Sequence, residues 1–116
     1  MSRNLSLYLA DILSSIDKIE SYTGSMTYDE LLEDGRTLDA VIHNFYIIGE
    51  ATKQIPETIR IKYPQVEWKK IAGLRDIIAH AYFSINTQII WSIIQTKLEP
   101  LKRCVQAILN DEETEQ

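Results

Sequence analysis

Several residue types that mark special classes of protein are scarce in this chain. Its 116 residues include one cysteine, Cys104, together with four glycines and three prolines. A single cysteine excludes an intramolecular disulfide and a zinc site built from several cysteines. No apolar run approaches the roughly 18 residues needed to cross a bilayer, and the N-terminus lacks the basic and then apolar layout of a signal peptide. We therefore expect a cytoplasmic protein with no membrane partner.

The short motifs that hold common cofactors are lacking as well. The sequence has no glycine-rich phosphate loop, no His-Glu zinc pattern and no acidic metal cluster. Hydrophobic residues make up 45% and charged residues 25%, which is ordinary for a folded protein and unlike a disordered chain. We expect a single domain over residues 1–110 and an acidic tail over 111–116, with no cofactor and no metal.

Apolar residues recur at helical rather than strand-like intervals. Four stretches carry apolar residues three and four positions apart, which places them on one face of a helix. These residues are Leu5, Leu9, Ile12, Ile16 and Ile19; Leu38, Val41, Phe45, Ile48 and Ala51; Trp68, Ile71, Leu74 and Ile78; and Leu101, Val105, Ile108 and Leu109. Asn86 is predicted to cap a further helix, whose apolar residues are Ile89, Ile90, Ile93 and Ile94. The pattern predicts an all-α, up-and-down four-helix bundle with additional short helices.

The charge of the chain is unevenly distributed. The formal net charge is −5, and four of the acids lie in the C-terminal tail. Residues 53–75, in contrast, hold six basic residues and two acidic ones. A locally basic stretch of this kind can attract a phosphate backbone, and the alternative is an ordinary solvated helix face.

The candidate chemistry is concentrated in one helical segment, where Arg75, Asp76, His80 and Tyr82 lie within eight positions. Asp76 and His80 are four residues apart and share a helix face. Arg75 and His80 are five apart, or about 140 degrees around the axis, so one straight helix cannot aim both at a single phosphate. Either the helix ends near His80, or a second copy of the chain brings its own segment alongside. We expect the second arrangement, because the symmetric dimer is the commonest soluble oligomer.

Such a group of side chains suits RNA cleavage by the RNA's own 2′-hydroxyl, which needs no metal. His80 would transfer the proton, because histidine titrates near neutral pH. Arg75 would grip the phosphate oxygens, and Glu50 on the preceding helix would hold its guanidinium. Asp76 would orient His80, and Tyr82 would position the phosphate or stack on a base. The alternative is that Asp76 and His80 form no more than a surface pair.

At these residues the chain resembles the HepT-like toxins of the HEPN superfamily. Their signature is an arginine, four residues, a histidine, any residue and a tyrosine, and here it is complete from Arg75 through His80 to Tyr82. The likeness extends along nearly the whole chain. It includes the stretches Ile48-Gly49-Glu50-Ala51, Trp68-Lys69-Lys70-Ile71-Ala72-Gly73-Leu74, Ile89-Ile90-Trp91 and Leu98-Glu99-Pro100-Leu101.

The resemblance implies a helical homodimer that acts as an endoribonuclease, with Arg75 and His80 as the catalytic pair at the dimer cleft. It implies the toxin of a type II toxin–antitoxin system, whose partner is a minimal nucleotidyltransferase antitoxin of the MntA type. In this family the antitoxin can transfer AMP from ATP to the tyrosine of the motif, here Tyr82. The alternative is a non-catalytic helical module that binds and regulates a nucleotidyltransferase.

Overall fold

The computed structural model describes the backbone of residues 3–114 and the side chains of residues 4–112. These residues form seven α-helices and one 3-10 turn, and they contain no strand. The elements are α1 (Arg3–Thr23), α2 (Tyr28–Glu33), α3 (Gly35–Lys53), α4 (Glu57–Lys62), α5 (Trp68–Ala81), the 3-10 turn (Tyr82–Ser84), α6 (Thr87–Thr96) and α7 (Leu98–Thr114). The predicted all-α bundle of four long helices with shorter ones between them is confirmed. None of the described helices is long and apolar enough to span a membrane.

Helices α2, α3 and α6 begin at side chains that accept hydrogen bonds from their free backbone amides. Thr27 accepts a hydrogen bond from the amide of Glu30, whose carboxylate accepts one from the amide of Thr27, so α2 starts with a capping box. Asp34 accepts from the amide of Thr37 at the start of α3, and this bond lowers the pKa of the Asp34 carboxyl. Asn86 caps α6 as predicted, accepting from two backbone amides. These caps fix where the three helices start.

The core lies around α3, which packs against α1 on one side and α5 on the other, while α7 packs against α1. The apolar stripes predicted from the sequence form this core. The members that are at least nine-tenths buried are Leu5, Leu9, Ile12, Ile16, Ile19, Val41, Phe45, Ile48, Ala51, Trp68, Ile78, Leu101, Val105 and Ile108. Complete burial of a Leu, Ile or Phe side chain contributes about 1.5–3 kcal/mol, so these four stripes supply most of the driving force for folding.

The two C-terminal helices differ from their predicted form in one detail each. In α6, Ile90 is buried but Ile89 is mostly exposed, so the apolar face of this helix is only partly covered. Helix α7 continues to Thr114, past the position where the sequence places the start of the acidic tail. There the Tyr63 hydroxyl donates to Asp111 at 2.9 Å, and Lys62 Nζ donates to Glu112 at 2.8 Å. The last turns of α7 are thereby attached to α4 and its end.

Candidate active site at the end of helix α5

A close crossing of α3 and α5 positions Arg75. Gly49 of α3 lies against the backbone of Arg75, and a Cβ atom on Gly49 would stand 2.7 Å from the Arg75 amide nitrogen and 3.0 Å from its Cβ. Such distances are too short for real atoms, so only glycine permits the two helices to approach this closely. The crossing places Glu50, the next residue of α3, beside the Arg75 side chain.

The guanidinium of Arg75 is held from several sides. Its Nε donates to Glu50 Oε2 at 3.1 Å, and its Nη1 donates to Asp76 Oδ1 at 3.1 Å. The guanidinium also lies 5.7 Å from the ring centre of Tyr46, a distance typical of a cation–π contact. The bond to Glu50, followed by that to Asp76, raises the pKa of Arg75 above its already high ordinary value. The contact between Glu50 and Arg75 that the sequence suggests is therefore formed, and it presents a permanent cation at a side chain that is one-third exposed.

Asp76 interacts with the cations of the site rather than with the histidine. Its Oδ1 accepts from Lys53 Nζ at 3.0 Å as well as from Arg75 Nη1. These hydrogen bonds, with Lys53 first, lower the pKa of the Asp76 carboxyl. The bond between Asp76 and His80 that the sequence predicts is not formed. In the structure the Asp76 carboxylate supports the arginine and connects it to the end of α3.

His80 occupies the last turn of α5 and is exposed to solvent. Within residues 4–112 no side chain or backbone group forms a hydrogen bond with its imidazole. The backbone leaves the α-helical region at Ala81, with φ −136° and ψ 31°, and the 3-10 turn begins at the next residue. Both Arg75 and His80 lie within α5, so their angular separation on one helix remains as predicted.

Tyr82 begins the 3-10 turn and extends across to α3. Its hydroxyl donates to Asp39 Oδ1 at 3.0 Å, and its ring packs edge-on against Phe83 at 5.5 Å between centres. Partial burial, and then the bond to Asp39, raise the pKa of Tyr82. Asp39 was not predicted as part of the site, since it lies 43 residues earlier and no local pattern distinguishes it from other surface acids.

Two exposed apolar side chains flank the histidine along the chain. Ile77 is 56% exposed and Phe83 is completely exposed, and both are within three residues of His80. Isolated exposed apolar residues are ordinary, but a completely exposed aromatic side chain beside a polar cluster marks a surface suited to contact. We refer to Ile77 and Phe83 as the apolar patch.

The basic stretch predicted from the sequence is largely neutralised by pairing. Carboxylates accept hydrogen bonds from four of its six cations, and Arg60 donates to the backbone carbonyls of Thr52 and Ile55. The ion pairs are Lys53 with Asp76, Lys62 with Glu112, Lys70 with Glu67, and Arg75 with Glu50 and Asp76. Among the six cations of the stretch, all of them described, Lys69 alone has no hydrogen-bonded partner within residues 4–112. The stretch is therefore a network of pairs rather than an open cationic surface.

Fold and surface together define a class of protein. It is an all-helical chain that presents a fixed guanidinium, an exposed imidazole and a phenol within two turns, which are groups able to bind a phosphate and to transfer a proton.

Comparison with known proteins identifies the family. The sequence matches the family described as "Ribonuclease HepT-like" over residues 12–108. A Methanocaldococcus jannaschii protein, named as a candidate RNase, is 42% identical over 113 residues, covering 97% of this chain and 93% of its own. A probable ribonuclease HepT of Thermococcus cleftensis is 35% identical over 102 residues, covering 88% of this chain and 93% of its own. No solved structure matches the sequence significantly. The chain belongs to the HepT-like ribonuclease family, which confirms the predicted family and the predicted enzyme class, a ribonuclease.

Proposed function

We propose that this protein is a metal-independent endoribonuclease toxin of a type II toxin–antitoxin system, acting in the cytoplasm on RNA. One observation carries the proposal. In a member of a ribonuclease family, α5 presents both a fixed, partly exposed Arg75 and, one and a half turns further along, an exposed His80. Arg75 and His80 are the proposed catalytic residues, and Asp76 and Tyr82 the supporting ones.

The proposed reaction is attack by the 2′-hydroxyl of RNA on the adjacent phosphorus. His80 removes the proton of the 2′-hydroxyl while Arg75 stabilises the charge that develops on the non-bridging oxygens. The bond from phosphorus to the 5′-oxygen breaks, and the leaving oxygen takes a proton from a second imidazole or from water. The products are a 2′,3′-cyclic phosphate end and a 5′-hydroxyl end, so the step consumes neither water nor a metal ion.

A homodimer would supply the second imidazole. Because Arg75 and His80 diverge by about 140 degrees on one helix, a single copy directs them at different points in space. Across a two-fold axis, the arginine of one copy and the histidine of its partner can face one phosphate. The apolar patch beside His80 gives such a dimer a surface to bury. This geometry supports the composite cleft.

The proposed partner is a minimal nucleotidyltransferase antitoxin that transfers AMP to Tyr82. In that step the Tyr82 oxygen bonds to the α-phosphorus of ATP, and pyrophosphate leaves. The Tyr82 hydroxyl already donates to Asp39 Oδ1 at 3.0 Å, so in this proposal the phenolic proton leaves the oxygen towards Asp39 or towards a base of the antitoxin. A nucleotide on Tyr82 adds negative charge next to the site of Arg75 and His80, which would repel RNA.

Cleavage assays with the two histidine variants test the enzyme proposal. We expect the purified protein, free of antitoxin and AMP, to cut RNA in the presence of EDTA and to leave cyclic phosphate ends. His80→Ala should lower the rate by about 100-fold or more, since removal of a general acid or base typically costs this much. His43→Ala is the matched control, because His43 is the other histidine of the chain and is also exposed, on α3. Its rate should stay within about twofold of the wild-type rate, on the scale of the same general acid–base argument.

Three results would contradict the proposal. Cleavage that persists in His80→Ala would remove His80 from the mechanism. Cleavage that stops in EDTA and returns with a divalent ion would remove the metal-free reaction. A folded, unmodified dimer that binds the nucleotidyltransferase but cuts no RNA would favour the regulatory module instead.

A further inference from the structure

One oxygen atom connects the two cations nearest the candidate site. Asp76 Oδ1 accepts a hydrogen bond from Lys53 Nζ at 3.0 Å and one from Arg75 Nη1 at 3.1 Å. The two donors come from different helices, the end of α3 and the middle of α5. They nevertheless converge on one point, which an anionic oxygen occupies. A carboxylate oxygen and a non-bridging phosphate oxygen accept such hydrogen bonds with similar lengths.

The remaining groups of the network leave this point available to a ligand. Glu50 binds the Nε of Arg75, on the other side of the guanidinium, so it does not compete for Nη1. Lys53 and Asp76 have side chains that are 36% and 50% exposed, so solvent reaches both. Rotation of the short Asp76 side chain into solvent would free Nη1 of Arg75 and Nζ of Lys53 together, while Glu50 keeps the arginine in place.

We propose that Lys53 and Arg75 form one phosphate-binding site, and that the Asp76 carboxylate occupies it until an RNA phosphate displaces the carboxylate. Lys53 is then a substrate-binding residue, although it lies 22 positions before the arginine of the motif. Asp76 is a competitor for the site as well as a support for Arg75. This inference rests on the proposed function only in taking RNA as the source of the phosphate.

Two substitutions separate this proposal from a purely structural ion pair. If Lys53 and Asp76 only hold α3 against α5, removal of either partner has the same effect. If they compete with phosphate, the effects on RNA affinity have opposite signs. Lys53→Gln weakens binding because a phosphate ligand is lost, whereas Asp76→Asn strengthens binding because the competing charge is lost.

The experiment measures binding of a short single-stranded RNA whose 2′-hydroxyls are methylated, so that it cannot be cut. We expect Lys53→Gln to weaken binding about tenfold at low salt and to reduce the slope of log affinity against log salt by about 0.7, the value for one phosphate contact on a single strand. Lys53→Arg should keep the wild-type slope. Asp76→Asn should tighten binding by about threefold or more at low salt, since a fixed negative charge beside the phosphate is removed.

Two control variants account for the general effect of charge. Lys69→Gln removes an exposed cation of the same stretch that has no hydrogen-bonded partner among the described residues, and its slope should change by less than half as much. Glu67→Gln removes an exposed acid that pairs with two lysines, and it should tighten binding less than Asp76→Asn. Equal effects of Lys53→Gln and Lys69→Gln, or weaker binding by Asp76→Asn, would overturn the proposal.

The outcomes for this inference and for the proposed function are distinguishable. If the wild-type protein cuts RNA in a His80-dependent manner and Lys53→Gln binds the methylated RNA as the wild type does, only the Lys53 site is refuted. If the wild-type protein neither cuts nor binds RNA, the proposed function and this inference fail together.

Discussion

The contact of Gly49 with Arg75 predicts that two glycines in helices respond to alanine in opposite ways. Gly73 lies in α5, and a Cβ atom there would have no atom within 4 Å apart from its chain neighbours and the backbone of its own helix. Gly49 lies in α3, and its added Cβ would stand 2.7 Å from the Arg75 amide nitrogen. Alanine is favoured over glycine in a helix interior by about 1 kcal/mol, and this gain applies equally to both positions.

The difference between the two variants therefore isolates the cost of the helix crossing. At Gly73 no steric clash offsets the higher helix propensity of alanine, so we expect Gly73→Ala to raise the free energy of unfolding by about 0.5–1 kcal/mol. At Gly49 the new methyl group meets backbone, which cannot rotate aside, so α3 and α5 must separate. Such overpacking costs about 1–3 kcal/mol, which leaves Gly49→Ala between neutral and about 2 kcal/mol less stable than the wild type.

The assay is thermal or urea unfolding of both variants beside the wild-type protein. For a domain of this size, 1 kcal/mol corresponds to about 4 °C in Tm, so the two variants should differ by about 4–12 °C. Cleavage should follow the same order, since separation of the helices also moves Glu50 away from Arg75. Equal stabilisation by the two alanines would refute the close crossing and, with it, the argument that the crossing fixes the guanidinium.

Two further predictions concern tyrosines. Incubation with the nucleotidyltransferase and ATP should raise the intact mass of the protein by AMP units. Tyr82→Phe should prevent this increase, whereas Tyr22→Phe, which alters another exposed tyrosine, should not. An unchanged increase in Tyr82→Phe would locate the modification elsewhere. Burial, and then the bond to Asp111, raise the pKa of Tyr63 to about 12, above the ordinary value of 10.0. The folded state therefore retains a proton that the unfolded chain loses between these values, so the stability due to Tyr63 is complete below pH 10 and declines as the pH rises towards 12. Tyr63→Phe should lose less stability over that interval in urea titrations, and a decline as steep as that of the wild type would contradict the pKa assignment.

The sequence predicts the features of this fold that depend on neighbours along the chain. The four apolar stripes and the cap at Asn86 are each determined within a few residues, so periodicity and capping chemistry are sufficient to find them. The exposed face of Ile89 was not predictable, because it depends on how much of α6 the other helices cover.

The partners of the charged groups depend instead on how helices cross. The sequence suggested that Glu50 holds Arg75, since both residues stand out locally. It also suggested that Asp76 serves His80, because the two lie one helical turn apart. Lys53 is 23 residues before Asp76, yet the crossing of α3 and α5 brings its ammonium group to the carboxylate. A local pattern cannot reveal such a competitor, and neither could it reveal Asp39 as the acceptor for Tyr82.

The neutralised basic stretch has a consequence for selectivity among polyanions. Non-specific binding to nucleic acid is driven largely by counterion release, in which unpaired cations of the protein replace the small ions condensed on the phosphates. In this protein most cations of the basic stretch are already paired with carboxylates of the same chain, namely those of Glu50, Glu67, Asp76 and Glu112. Bulk nucleic acid would have to displace these carboxylates one by one, so the protein should remain largely free of such material until it meets a strand that fits its site.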